Sequence, residues 1–451
     1  METYNKGFVY FICLVSAMGG LLFGYDWVVI GGAKIFYEQY FDIVGNPGMQ
    51  GLAMSIALAG CLIGALTAGA LADRLGRKKL LLTAAFIFAA TAYGTGAFNS
   101  FTPFLVIRFF GGIAIGIASG LSPMYIAEVA PTTIRGKLVS LNQLTIVIGI
   151  LAAQVVNWLL VSDDAAWNKE MAWRWMFWAA AFPALAFLLL AAFIPESPRW
   201  LAMKGEREKS MSILSKIGGA AYASAEMKTF EEATTGAQTQ GGLKLLFSRP
   251  FRRVLVIGIV VAMFQQWCGT NVIFNYAQEI FQSAGYDVDN TFINIVVTGI
   301  ANLVFTFVAI YTVDRLGRRA LMLIGAGGLA GIYLILGLCY YLQVSGTLMV
   351  VLVVLAIACY AMSLGPVTWV LLSEIFPGKV RAVAVATGTF ALWVASFTLT
   401  YTFPFLNQAL GTYGTFWIYT AICTAGFLFF LKKLPETKGK SLEELEKELL
   451  K

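Results

Sequence analysis

The sequence predicts an all-α integral membrane protein whose twelve spans form two six-helix halves. Three observations predict it: an apolar excess, basic residues confined to one set of segments, and charged motifs that occur twice. Of the 451 residues, 59% are hydrophobic and 13% charged, against roughly a quarter charged in soluble chains. Mean hydropathy is +0.75. A spanning helix needs about 20 apolar residues, so twelve take roughly 240. That excludes soluble enzymes and disordered or fibrous chains. The absence of histidine excludes Ser-His-Asp triads, His-bound metal or haem, and imidazole proton relays.

Apolar stretches run near 8–32, 51–72, 80–98, 102–127, 139–161, 173–194, 253–282, 291–313, 320–342, 347–372, 381–409 and 413–431. The first is too long for a cleaved signal peptide and reads as a retained span. An even count leaves both termini on one side. The segments of that side carry 28 of the 32 Lys and Arg, the exceptions being Lys34, Arg108, Lys169 and Arg174. Cytoplasmic loops collect Lys and Arg, so both termini are expected in the cytoplasm. The net charge of +7 then records topology and implies no nucleic-acid partner. Six cysteines (Cys13, Cys61, Cys268, Cys339, Cys359, Cys423) lie inside apolar stretches and read as small buried hydrophobes, without a disulfide framework.

The expected domains are a six-helix bundle over 1–194, a charged cytoplasmic helical linker over 195–252, a second bundle over 253–431 and a cytoplasmic tail over 432–451. Within the linker, Gly205–Lys216 and Ser224–Ala233 read as short helices, and the tail ends in an amphipathic stretch, Ser441–Leu450. The halves repeat each other. Asp73-Arg74-Leu75-Gly76-Arg77-Lys78 follows span two, and Asp314-Arg315-Leu316-Gly317-Arg318-Arg319 follows span eight, 241 residues later. Glu128 with Arg135 returns as Glu374 with Arg381, 246 residues on, and Pro195-Glu196-Ser197 returns as Pro435-Glu436-Thr437, 240 residues on. Parallel six-helix repeats are a transporter architecture. The motifs predict a charge network at the cytoplasmic helix ends, a latch of weak, hydrated pairs worth about 0–1 kcal/mol each.

Two ionisable residues lie inside spans. Asp26 sits roughly 9 Å below the outer end of span one and Arg108 at a similar depth in span four. An intramembrane charge costs at least about 2.5–3.5 kcal/mol and calls for a partner, so the two are expected to pair. The repeat offset maps Asp26 onto Gln266 and Arg108 into a run of valines near 353, so the second half lacks the pair. A carboxyl facing a guanidinium stays ionised. If a transition separates the two or dries the cavity, the acid takes up a proton. With no histidine, Asp26 is the expected proton-coupling residue, opposite Arg108.

Span seven is rich in amides: Gln265, Gln266, Asn271, Asn275 and Gln278, with Tyr276. Asn271, Asn275 and Gln278 share a helix face, and Gly269-Thr270 is a natural break that lets both groups face one cavity. Amides offer both donors and acceptors to hydroxyl groups. No paired Asp-Asp, Ser-Lys or metal-binding constellation appears, so no enzymatic chemistry, metal or cofactor is expected.

The chain resembles the sugar porter family of the major facilitator superfamily over essentially its whole length. The residues that carry the match are Asp73 to Lys78, Pro195-Glu196-Ser197-Pro198-Arg199-Trp200-Leu201, Gln265-Gln266 with Gly269 and Asn271, Gly365-Pro366 with Trp369, and Pro435-Glu436-Thr437-Lys438-Gly439. The resemblance is to bacterial proton-coupled pentose and hexose symporters and to animal facilitative glucose carriers. It implies the major facilitator fold and alternating-access uptake of a monosaccharide with a proton. It adds Gln143, Asn302 and Trp369 to the expected sugar site, with Phe23 and Trp393 as apolar walls. It also places Arg74, Arg199 and Arg315 in the gate network. Proton-coupled members carry Asp where animal carriers have Asn, at the position of Asp26.

The sequence also departs from the family. Ile150, Ala361, Leu392 and Asn275 stand where relatives carry Gln, Glu, Asn or Gln, and Tyr respectively. A missing partner costs about 1–3 kcal/mol, which leaves the choice among xylose, glucose, galactose and a polyol open. The alternatives are a uniporter of the same fold, which Asp26 argues against, and a membrane sensor, which would need a longer signalling tail. Outward loops without Asn-x-Ser/Thr sequons and a short first outer loop favour a bacterial inner membrane, with the lipid bilayer as surroundings and the monomer as the working unit.

Overall fold

A computed structural model describes residues 4–235, 243–377 and 380–438. Among the described residues there is no strand. Helices α1 (Lys6–Tyr40), α2 (Pro47–Leu75), α3 (Arg77–Ala97), α4 (Phe101–Val129) and α5 (Arg135–Leu160) are each long and apolar enough to cross a membrane. The sixth crossing is assembled from α6 (Ala165–Trp167), a five-residue π turn over Asn168–Ala172, α7 (Trp173–Ala179) and α8 (Ala181–Ala191). The connection contains α9 (Pro198–Met203), α10 (Arg207–Thr235) and α11 (Leu243–Leu246). Ser197 caps α9 by accepting from the Trp200 amide at 3.2 Å, with Pro198 as first helical residue, where its missing N–H costs nothing.

The linker holds two helical pieces, as expected: α10 is broken at Gly219, whose φ of 83 and ψ of 176 are non-helical. It also receives the chain start: the Asn5 amide donates to Ile217 O at 2.8 Å, and Tyr4 meets Tyr222 edge-on at 5.5 Å. The tail stretch Ser441–Leu450 lies outside the described residues.

The seventh crossing is α12 (Arg249–Trp267), α13 (Thr270–Asn275) and α14 (Ala277–Ser283). The break expected at Gly269-Thr270 is present, with Gly269 at φ 86, and a second break follows at Tyr276 (φ −123, ψ 27). Two long helices come next, α15 (Val288–Leu316) and α16 (Arg318–Tyr341). The tenth crossing divides into α17 (Thr347–Met362) and α18 (Leu364–Glu374) at Ser363 (φ −131, ψ −89). That is two residues before the expected Gly365-Pro366 break. Pro366 removes the donor and crowds the carbonyl four residues back, at Met362, so the helix ends there and proline falls in the next first turn.

The last helix, α19 (Arg381–Lys433), counts 53 residues but reverses within. Trp267 Nε1 donates to Ala395 O at 3.0 Å, while Phe264, one turn away, packs on Phe430 with ring centroids 4.9 Å apart. A straight helix would hold Ala395 and Phe430 about 50 Å apart. The reversal is at Gly411, whose φ of 68 and non-helical ψ of 174 suit a residue without Cβ. Among the described residues, eleven helices long and apolar enough to cross a membrane therefore make twelve crossings.

The chain packs as two compact units, which divide it differently from the sequence halves. Unit 1 is Met1–Trp27, Gly60–Ile150 and Phe177–Thr239; unit 2 is Val28–Ala59, Leu151–Met176 and Gln240–Lys451. In unit 1, α1 crosses α5 at backbone distance: a Cβ at Gly24 would strike Ile146, and one at Gly149 would strike Leu21. Thr145 Oγ1 seals the crossing onto Ala17 O at 2.7 Å, the small-residue packing of membrane helices. In unit 2 the far end of α1 joins the broken seventh crossing, because Gly31 leaves room for the carbonyls of Phe274 and Asn275, each 2.9 Å from where a Cβ would stand.

Candidate functional site

Within unit 1, Arg108 Nη1 donates to Asp26 Oδ1 at 2.7 Å, with side-chain exposures of 3% and 17%. The guanidinium carbon also lies over the Phe177 ring, 5.3 Å from its centroid. Arg108 is thus held on an apolar, cation-binding face, while Asp26 keeps one oxygen, Oδ2, shielded and without a hydrogen-bond partner among the described residues. Phe23 and Gln143 are half-buried in the same unit, and Phe23 meets Trp27 edge-on at 5.6 Å.

Within unit 2, the amides of the seventh crossing join in a chain. Gln265 Nε2 donates to Tyr360 OH at 3.0 Å, Gln266 Nε2 to Gln265 Oε1 at 2.5 Å, and Asn271 Nδ2 to Gln266 Oε1. Each amide uses one N–H in this chain of bonds and carries a second. One turn beyond Asn271, Asn275 is 4% exposed and its Oδ1 accepts nothing among the described residues. Tyr276 and Gln278 are engaged with neighbouring backbone. Tyr276 OH donates to Thr400 O at 2.7 Å, and Gln278 Nε2 donates to Gly32 O at 2.7 Å while its Oε1 accepts from Ile35 N at 3.3 Å. Gln278 therefore joins α1 to α14 and does not share the role of Asn271 and Asn275. Asn302 and Trp393 are buried, and Trp369 is 42% exposed.

The repeated charge motifs build two networks, each closed within its own unit. In unit 1, Arg77 grips Glu128 through Nε and Nη2, both at 3.0 Å, and reaches Asp73 Oδ1 at 3.1 Å. Glu196 Oε1 accepts the amides of Arg77 at 2.8 Å and Lys78 at 3.1 Å, capping α3. In unit 2, Arg318 Nη2 reaches Glu374 at 3.1 Å, and Glu436 accepts the amides of Arg318 at 3.0 Å and Arg319 at 3.1 Å. Gly76 (φ 94) and Gly317 (φ 87) permit this. A Cβ at either would run into its Glu, and the negative charge sits where a helix N-terminus favours it.

Three expectations about the latch need correction. Arg77 and Glu128 are 5% and 8% exposed, so this pair is bidentate and buried, unlike a hydrated surface contact. Arg135 and Arg381 each donate Nε to a backbone carbonyl, Ala130 at 3.4 Å and Phe376 at 3.0 Å, satisfying the carbonyls at the preceding helix ends. Arg74, Arg199 and Arg315 are exposed and stand outside the interlocked groups; the side chain of Asp314 lies outside the described residues.

One cluster escaped the sequence reading. Because α1 continues to Tyr40, eight residues past the expected end of span one, Lys34 and Glu38 are on a helix and buried. Lys34 Nζ binds Glu38 Oε1 at 2.8 Å and also Glu279 on α14, and Gln50 Nε2 donates to Glu38 Oε2 at 2.8 Å. The signal was available. Lys34 is one of four basic residues off the cytoplasmic side, and Glu38 stands four residues on, at ion-pair spacing.

The profile of the family described as "Sugar (and other) transporter" matches residues 12–449. The chain is 39% identical over 474 residues to the D-xylose-proton symporter of Escherichia coli (strain K12), covering 98% of this chain and 96% of that one. It is 38% identical over 448 residues to the arabinose-proton symporter of Bacillus subtilis (strain 168), covering 99% and 96%. A solved structure of the E. coli xylose transporter in a partially occluded inward-open conformation superposes with a TM-score of 0.87 at 37% identity, over 96% of this chain and 100% of that one.

Proposed function

The chain belongs to the sugar transporter family, and from that premise we propose that it is a proton-coupled symporter taking up a monosaccharide by alternating access. The observation that carries the proton is the Asp26–Arg108 pair, whose carboxyl has one oxygen bound at 2.7 Å and the other unpartnered. In this reading Asp26 is ionised and held by Arg108 between cycles. Protonation at Oδ2 cancels the charge that holds the pair, frees α1 to move against α4, and is reversed when the acid meets the cytoplasm. The proton gradient thereby drives sugar accumulation.

The sugar contacts are assigned to Gln143, Gln265, Gln266, Asn271, Asn275 and Asn302, with Phe23, Trp369 and Trp393 as apolar faces; Tyr276 contributes its ring, its hydroxyl being bound to Thr400. The amide chain supports this assignment through its remaining N–H groups, and Asn275 Oδ1 through its lack of a partner. Relatives named for xylose and arabinose point to a pentose first. The concentration of Lys and Arg in one set of segments supports cytoplasmic termini, and the reading takes a bacterial inner membrane and a working monomer with it.

The test is labelled pentose uptake into proteoliposomes under an imposed pH gradient, comparing wild type with Asp26→Asn. Accumulation above the external concentration in wild type, and mere equilibration in the variant, is the expected outcome. Undiminished accumulation by Asp26→Asn would remove Asp26 from the mechanism.

A further inference from the structure

A second cavity, entirely within unit 2, holds about 190 Å³ between the end of α1, the start of α2, α14 and the residues leading to the Gly411 reversal. Its walls combine three amides (Gln50, Asn407, Gln408), the Lys34 ammonium, the Glu279 carboxylate and the aromatic rings of Tyr276 and Phe403. The two rings form one apolar wall, their centroids 4.1 Å apart. Glu279 Oε1 binds Lys34, whereas Oε2 is shielded and accepts no hydrogen bond among the described residues. A buried carboxylate oxygen without a donor is a deficit that a ligand hydroxyl fills. The volume is well under the ~300–1,000 Å³ of pockets for drug-sized ligands and equals roughly six waters at ~30 Å³ each. It suits one small ring bearing several hydroxyls and is too small for two.

We propose that this cavity is a vestibule site for a monosaccharide, placed ahead of the amide chain on the outward side. The inference rests on the sugar-symport reading and adds a second, separate position to it. Hydroxyls bond to Glu279 Oε2 and to the amides, and the C–H face of the ring lies against Tyr276 and Phe403. Tyr276 is the junction between α13, which carries Asn271 and Asn275, and α14, which carries Glu279. The vestibule and the amide chain thus lie on either side of one break in a single crossing. The Lys34 ion pair with Glu279 Oε1 ties α1 to α14, so a sugar bound at Oε2 sits directly beside that tie.

The test places an environment-sensitive fluorophore on Val44→Cys, a position 64% exposed beside Gly45 of the cavity wall; five of the six native cysteines are buried, which favours labelling there. The labelled protein is titrated with D-xylose, D-glucose and sucrose, alone and with Gln265→Ala or Glu279→Gln, and sugar counterflow is measured on the same preparation. Expected is a saturable response to a monosaccharide and none to sucrose. The midpoint holds with Gln265→Ala and moves up about fivefold or more with Glu279→Gln. A response that vanishes with Gln265→Ala, or none at all in protein that still performs counterflow, overturns the vestibule and leaves the symport reading standing. Failure of both counterflow and response in the labelled wild type, with unlabelled protein also inactive towards every sugar, overturns both.

Discussion

The two charge networks at the helix ends and the two interiors behave oppositely under the same internal repeat. At the helix ends, Arg77 with Glu128 and Glu196 is matched by Arg318 with Glu374 and Glu436, down to a glycine with positive φ before each capped helix. Inside the bundles the correspondence fails. Asp26 is ion-paired to Arg108, whereas its repeat counterpart Gln266 is a neutral link in an amide chain. Duplicated features hold each half together, and in the function proposed above the feature without a duplicate carries the charge that changes during transport. Scaffold and function are thereby separated by symmetry.

The comparison breaks if scaffold variants abolish coupling, or if interior variants act only on stability. Arg108→Ala should have the largest effect, since it leaves Asp26 without its cation. Thermal unfolding in detergent should show a loss of about 3–5 kcal/mol, with gradient-driven accumulation abolished. Arg77→Ala should cost a similar ~3–5 kcal/mol, because its pair with Glu128 is almost fully buried, yet surviving protein should retain its proton-to-sugar ratio. Arg318→Ala removes a more exposed contact, 14% and 24% exposed, and should cost about 1.5–3 kcal/mol on the same measurement. Gln265→Ala should weaken equilibrium sugar binding by about 1–3 kcal/mol, or roughly fivefold to a hundredfold, with sugar-free proton uptake unaltered. Asn275→Ala removes one acceptor and should weaken binding at the low end of that range.

The parts of the molecule legible in its sequence were those set by hydropathy and repetition. Twelve crossings, the Gly269 break and the Asp26–Arg108 pair all follow from apolar length, a glycine and the cost of an unpaired charge in a membrane. What escaped notice depended on packing. Hydropathy falls after Gly32, which looks like the end of a span, but Gly31 and Gly32 are small because α1 presses on the carbonyls of α13 and on the Asn157 side chain of α5. The helix therefore continues and buries Lys34 and Glu38. Arg135 and Arg381 looked like ion-pair partners because their charges repeat, although their nearest need was a helix-end carbonyl. Ser363 breaks the tenth crossing because a proline acts four residues before itself.

The central claim is that one unduplicated carboxyl, Asp26, binds the transported proton. It is tested most directly by recording sugar-induced proton entry, with a pH dye inside proteoliposomes, alongside labelled sugar exchange. Wild type should acidify the interior on sugar addition, whereas Asp26→Asn should exchange sugar with no proton movement. Sugar-driven acidification that persists in Asp26→Asn would contradict the account.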